Sequence, residues 1–191
     1  MKHYFLIAIA AGVLLLSGGH KLQAAEPDSG SASQYCVQNG GVVVERVPYY
    51  GTNGPKSSWL RLAGQKQFCK FTSPTDGSRI HILLETLTTT QASLAALAYI
   101  EKPAENPPGP GNPASYYCSQ LGGSDLFGGV NAAGGGWVGN DSPDEVLEAC
   151  IFPDMSSIDS WGLTYNTNNI IRGIDLTTVM RYKGPSAGTT H

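Results

Sequence analysis

The chain has 191 residues, 14% of them charged, and 12 Lys and Arg against 15 Asp and Glu give a formal net charge of −3. This is too little basic charge to hold a phosphate backbone, and nucleic acid is excluded as a partner.

Residues 1–24 read as a secretory signal: Lys2 opens it, an apolar run covers 4–16, and small residues place cleavage after Ala24 or Ala25. The run is too short for a membrane span and the residues after it are polar, so no span is expected once the signal is removed; a retained signal anchor is the alternative. Removal takes Lys2 and Lys21 but no acid, which leaves roughly −5. That charge sits late in the chain, because from Asn112 onward only Arg172, Arg181 and Lys183 stand against eight acids.

Residues 32–41 and 112–123 are two versions of one segment. They share Ala32/Ala114, Ser33/Ser115, Tyr35/Tyr117, Cys36/Cys118, Gln38/Gln120, Gly40/Gly122 and Gly41/Gly123, which predicts a tandem duplication. The second version carries clear helix signals. Asn112 can cap the first turn, Pro113 suits the first helical position, and Gly122-Gly123 ends the helix. Between them Ala114, Tyr117, Cys118 and Leu121 form one apolar stripe, so Cys118 should face a core. The first version, with Gly30 and Ser31 in place of the cap and the proline, is a weaker helix.

After the first helix, residues 42–47 are a β-branched run and predict a strand. An excursion over 48–66 carries Tyr49, Tyr50 and Trp59 among turn signals. Residues 67–71 predict a strand with Cys69 and Phe71 on one face, 74–77 a turn, and 79–87 a further strand in which Ile80, Ile82 and Leu84 alternate with His81. Good helix formers predict a helix over 91–100. Residues 102–111, with four prolines, read as a semi-rigid linker. The second half repeats the plan: a strand over 125–130, a glycine-rich loop to Asn140, a strand over 146–152 with Cys150 and Phe152 on one face, and a short helix over 159–165. That helix puts Trp161 and Tyr165 four apart on one side. Residues 176–182 predict a last strand, and 183–191 a tail with no reason to order.

Export makes disulfides the default for Cys36, Cys69, Cys118 and Cys150. Three pairings exist in principle, and duplication selects Cys36–Cys69 with Cys118–Cys150, each closing a loop of roughly 34 residues and contributing about 3 to 4 kcal/mol. A four-cysteine metal site is disfavoured by the absence of a Cys-x-x-Cys pair.

The run Asn112 to Cys118 with its Gly-Gly, then Cys150-x-Phe152-Pro153-Asp154, Asp159-x-Trp161 and Arg172-Gly173, resembles the small bacterial domain of unknown function family 333, often labelled hemolysin. The resemblance covers roughly residues 112–175 and, more weakly, 31–87. The family pattern has two further cysteines where this chain has Ile158 and Asp175. Their joint loss fits a bridge between them and implies Cys118–Cys150 as the retained pair. The label itself implies no mechanism.

Past the signal only His81 and His191 remain to serve a nucleophile or a zinc ion, and His81 lies in a strand pattern typical of packing or surface positions. Gly134-x-Gly136-x-x-Gly139 matches a dinucleotide fingerprint only literally, since Pro143 and the lack of a βαβ unit make it a flexible loop. The acids Asp141, Asp144, Glu145 and Glu148, and Asp154 with Asp159, lack calcium-loop spacing and read as a solvated acidic surface. No catalytic residue, metal site or cofactor is assigned. Trp59 and Trp137, with Tyr49 and Tyr50, either offer stacking positions to a partner or fold back on a small core.

The sequence thus predicts an exported α+β protein of two small disulfide-closed units, 25–101 and 112–182, each a helix packed on a short antiparallel sheet. Its expected role is a non-enzymatic binding or interaction module, periplasmic or secreted, that meets an envelope or extracellular protein or a glycan. The alternatives are a protease inhibitor, for which a loop closed by a disulfide is suited, and the hydrolase or hemolysin-like toxin implied by the family label.

Overall fold

The computed structural model describes residues 29–106, 111–125, 134–140 and 144–185. The signal segment, the middle of the linker, most of the strand expected over 125–130, Asp141 and the end of the tail lie outside them.

Helix α1 (Ser29–Gln38) leads into β1 (Val42–Tyr50), which runs past its expected end and through Pro48. The proline is tolerated because β1 changes partner there. Its first half pairs with β3 (Lys66–Thr72), from Val42↔Lys70 to Arg46↔Lys66, and its second half with β5 (Gly135–Val138) and the short β2 (Leu60–Arg61). The expected glycine-rich loop therefore contains a strand, whose small residues let β5 lie close against its neighbours. Next come β4 (Arg79–Leu83), α2 (Leu84–Thr88) and α3 (Leu94–Glu101), the last capped by the Ser93 hydroxyl, which accepts from Ala96 N. The strand expected over 79–87 thus turns helical at Leu84.

The second half starts with α4 (Pro113–Gln120), capped as expected by Asn112, whose side chain accepts from Ala114 N. It continues through β5, β6 (Val146–Leu147), β7 (Ala149–Ile151), β8 (Ser157–Asp159), α5 (Ser160–Thr167) and α6 (Leu176–Val179). The strand expected over 176–182 is this last helix. Asp175 accepts from Thr177 N and starts it, and Leu176, Val179 and Met180, buried at i, i+3 and i+4, hold it to the core.

Two separate helix-on-sheet units are not what forms. The strands make one antiparallel, barrel-like sheet in the order β6-β5-β1-β3-β4-β8-β7, with β2 beside β1. It crosses twice between the halves, at β1–β5 and at Ile82↔Ile158 of β4–β8. The physical reason is the edge problem. Each half alone would expose rows of unpaired backbone groups; here β1 is covered by β5 and β4 by β8, which leaves β6 and β7 as the two ends of one sheet.

Alternation along the strands divides the interior in two. Cys69, Phe71, Ile80, Ile82, Cys150 and Ile158 face the helices and form one continuous core with Cys36, Tyr99, Tyr117, Cys118 and Leu163. Phe68, Leu83, Trp137, Leu147 and Ala149 form a smaller cluster on the opposite face. The disulfides are Cys36–Cys69 and Cys118–Cys150, the expected pairs, and both lie in the large core. Each is pressed by a glycine. A Cβ on Gly41 would stand 2.8 Å from Cys36 Sγ and closer still to Cys69 Sγ, and one on Gly123 would stand 3.0 Å from Cys118 Sγ and closer to Cys150 Sγ. The second glycine of each Gly-Gly is therefore a space requirement of the bridge, while the first, at φ +82° and +83°, makes the turn.

Candidate functional site

β6 pairs with β5, β7 pairs with β8, and a single residue, Glu148, separates the two. At that residue the chain leaves one edge of the sheet for the other, so Glu148 marks the seam at which the barrel nearly closes. Its carbonyl accepts from Ser160 N at 2.8 Å, and its carboxylate accepts from Asn112 Nδ2 at 2.8 Å and from the Trp161 indole. Burial pushes the Glu148 carboxyl above its ordinary range; the Asn112 hydrogen bond works against the rise, and the charges of Asp125 and Asp159 add to it. Asp125 is also pushed up by burial, with the Ser160 and Ser115 hydroxyls opposing.

Beside Glu148 lies a cleft of about 370 Å³ lined by Asp144, Asp159, Trp161, Tyr165 and Arg172 among others. Asp159 caps α5, accepting from Gly162 N at 2.9 Å, and this cap projects Trp161 and Tyr165 from the same face one turn apart. Their rings lie 5.9 Å apart at 32°, and the Arg172 guanidinium stands 5.3 Å over Tyr165. Arg172 is held there by its neighbour. A Cβ on Gly173 would meet Phe71 O at 2.6 Å and Ile80 N at 2.8 Å, so only glycine lets the chain press on β3 and β4 at this point. Two motifs of the family resemblance, Asp159-x-Trp161 and Arg172-Gly173, therefore meet in one cleft.

Behind the cleft is a buried polar chain that sequence reasoning missed. Arg46, fully buried, donates to Trp137 O at 3.1 Å, to Asp144 O at 2.7 Å, and from Nη2 to His81 Nε2 at 3.3 Å. Arginine can only donate, so Nε2 accepts and the His81 proton sits on Nδ1, which faces Asp159 Oδ2 at 3.4 Å. Both His81 nitrogens are occupied, and the ring is 1% exposed. The arrangement fixes the wall of the cleft and provides no free base. Asp159 is held on both oxygens, Oδ1 accepting from Gly162 N and Oδ2 facing His81 Nδ1. The signal for Arg46 was period-two alternation, which sets it on the same face as Val44.

Of the acids expected to form a solvated surface, Asp154 is exposed, Asp144, Glu145 and Glu148 are half-buried, Asp159 is buried, and Asp141 lies outside the described residues. Asp144 takes both Arg79 Nε and Nη2, and Asp154 accepts from Leu94 N, Ser156 N and the Ser156 hydroxyl. Burial would raise Asp154, but these donors outweigh it and hold the carboxyl below its ordinary range.

The tryptophans singled out by the sequence are elsewhere. Trp137 is 8% exposed and packs edge-on against Phe68 at 5.8 Å, in the smaller cluster, so it presents no stacking face. Trp59 folds back on its own hairpin. Its indole donates to Gly54 O at 2.9 Å, and its ring lies edge-on to Tyr49 at 6.1 Å with Lys56 over it. Tyr49 and Tyr50 are half-buried on β1. Among the described residues no three His, Cys, Asp or Glu side chains converge to hold a metal ion, and no helix is long and apolar enough to cross a membrane.

Comparisons of the chain with protein-family models, with curated proteins and with solved structures find no match.

Proposed function

We propose that this protein is a non-enzymatic binding module of the cell envelope or secreted space, and that it takes a glycan end in the cleft at Glu148. One observation carries the reading: Trp161 and Tyr165 form a neighbouring aromatic pair at the side of a cleft that also offers a carboxylate and Arg172. Aromatic faces beside a few fixed polar groups suit a sugar ring, which has an apolar face and a hydroxyl rim. A volume of about 370 Å³ fits a small ligand or a chain end better than a flat protein surface. Two disulfides support an oxidising compartment. The meeting of the Asp159-x-Trp161 and Arg172-Gly173 motifs in this cleft is consistent with the resemblance to family 333, and on this reading the cleft is what those motifs serve.

The test is titration of the purified protein with oligosaccharide fragments of bacterial envelope and secreted polysaccharides, monitored by tryptophan fluorescence and calorimetry. Saturable binding that Tyr165→Ala weakens tenfold or more supports the reading. Binding indifferent to Tyr165→Ala, or glycan cleavage by the wild type lost in Glu148→Gln, overturns it.

A further inference from the structure

Cys69 is the cross-strand partner of Ile82, Cys150 is the partner of Ile158, and α2 and α5 each begin two residues after that isoleucine. The two halves therefore place Lys66 with Leu147, Leu83 with Asp159, Glu85 with Trp161, and Thr89 with Tyr165 at matching positions. Leu147, Asp159, Trp161 and Tyr165 all line the cleft already described, and Lys66, Leu83, Glu85 and Thr89 all line a second one, of about 350 Å³. The clefts are counterparts in position and similar in volume, and they differ in chemistry. Among the described residues no aromatic ring lines the second. Its apolar wall is Leu83, Ala92 and Met155, and the Met155 side chain is 57% exposed on a residue held at φ +65°.

We propose that this second cleft is a ligand site for a small zwitterion, an α-amino acid with a short apolar side chain. Lys66 and Glu85 both face it, and among the described residues neither side chain has a hydrogen-bond or ion-pair partner. The remaining polar groups are occupied: Asp154 by Leu94 and Ser156, Thr86 by Ser157 N, Ser93 by Ala96 N. One free ammonium and one free carboxylate over an apolar wall match a carboxylate, an ammonium and an aliphatic side chain on one small molecule. Asp154 adds a second carboxylate to the lining, but it already accepts from Leu94 N and from Ser156, which leaves Lys66 and Glu85 as one unpaired charge of each sign. The inference rests on this cleft's own residues and stands or falls apart from the glycan reading.

The experiment titrates the full chain with L-leucine, L-valine and L-methionine, up to about 10 mM, by calorimetry and by amide and methyl chemical shifts. Saturable binding with shifts at Ala92 and Met155 is expected, weakened tenfold or more by Lys66→Met and by Glu85→Gln. Isovalerate, which lacks the ammonium, and isopentylamine, which lacks the carboxylate, should each bind at least tenfold more weakly than leucine. The proposal is overturned by no saturable binding of the three amino acids, by binding that neither variant changes, or by isovalerate or isopentylamine binding as well as leucine does.

Discussion

Ile82 and Ile158 face each other where β4 pairs with β8, and each is also the cross-strand partner of a half-cystine, Ile82 of Cys69 and Ile158 of Cys150. Cys69, Ile82, Ile158 and Cys150 thus form one fully buried row across four strands, two from each half of the chain. The row joins the halves at their matching strands, and neither disulfide has a core of its own.

Truncation of either isoleucine should therefore be felt by the whole molecule. Ile82→Ala and Ile158→Ala are each expected to cost about 2 to 5 kcal/mol, the range for a large core side chain cut to a methyl. Both should give one cooperative transition in urea and not a biphasic one. Residues 29–106 and 111–185 expressed apart should be unfolded or aggregated, because β1 and β4 lose their partners. Independent cooperative melting of either piece, with a native near-ultraviolet spectrum, would show that the single sheet is not needed.

The glycines against the bridges lead to a second expectation. Gly41→Ala and Gly123→Ala each put a methyl group into sulfur, and overpacking of this kind costs about 1 to 3 kcal/mol. Substitution at the preceding positions, Gly40 and Gly122, meets no atom within 4 Å and acts only through positive φ. Denaturation midpoints and free-thiol counts should rank the alanine variants with Gly41 and Gly123 as the more damaging. Equal damage at all four would mean that turn geometry, and not the bridge, sets the requirement.

Much of this arrangement was legible in the residues, and what was not has a common cause. Signals within each half were reliable: Asn112-Pro113 for a helix start, the duplicated cysteine separation for the bridges, the four-residue interval for Trp161 and Tyr165. What failed depended on partners distant in sequence. Residues 134–139 are rich in glycine and read as a loop, yet Gly135–Val138 form β5 because the edge of β1 is open to them. The β-branched residues over 176–182 read as a strand, yet the Asp175 cap and the core beneath Leu176 and Met180 make a helix. Asp144, Asp159 and Glu148 read as solvated because their donors, Arg79, His81 and Asn112, are contributed by other elements. The same remoteness concealed Arg46 and the cleft.

Titration offers a third test, with a definite sign. The folded-state carboxyls of Asp125 and Glu148 are raised by burial, so the folded chain binds those protons more tightly than the unfolded chain does. Their contribution is most favourable below the ordinary carboxyl range and declines as pH rises through the raised folded values. Asp154, held low, works in the opposite direction, and its contribution is lost as pH falls. The difference between variants isolates the first effect: Asp125→Asn should gain stability relative to wild type as pH goes from about 4 to 7. Melting temperatures of both proteins across that range check it, and a gap that stays constant or closes would contradict the buried carboxyl.

Arg46 shows how far the cleft depends on the groups behind it. Arg46→Lys keeps the charge but has one nitrogen in place of three, and cannot reach Trp137 O, Asp144 O and His81 Nε2 together. Each acceptor left bare in the interior costs about 1 to 3 kcal/mol. The variant should be destabilised by at least that amount, and the His81 ring resonances should move. Unchanged stability with an unchanged His81 spectrum would mean that lysine satisfies the same acceptors.

The final prediction separates what the cleft holds from what holds the cleft. Tyr165 is 37% exposed and its ring meets Trp161 at the surface, so Tyr165→Ala should cost little stability, within about 0.5 to 1 kcal/mol. Its effect on glycan binding should be much larger, tenfold or more, because it removes one of the two stacking faces. Glu148→Gln removes the charge and keeps one acceptor oxygen for Asn112 or Trp161, with an amide NH2 in place of the other. A neutral sugar recognised by stacking and hydrogen bonds should then bind within about threefold of wild type, and the buried-carboxyl penalty at neutral pH should be relieved. Parallel calorimetric titrations of the two variants, with urea midpoints alongside, distinguish the cases. If Glu148→Gln abolishes binding while Tyr165→Ala leaves it intact, the cleft selects a cation through its carboxylate, and the aromatic pair is only its wall.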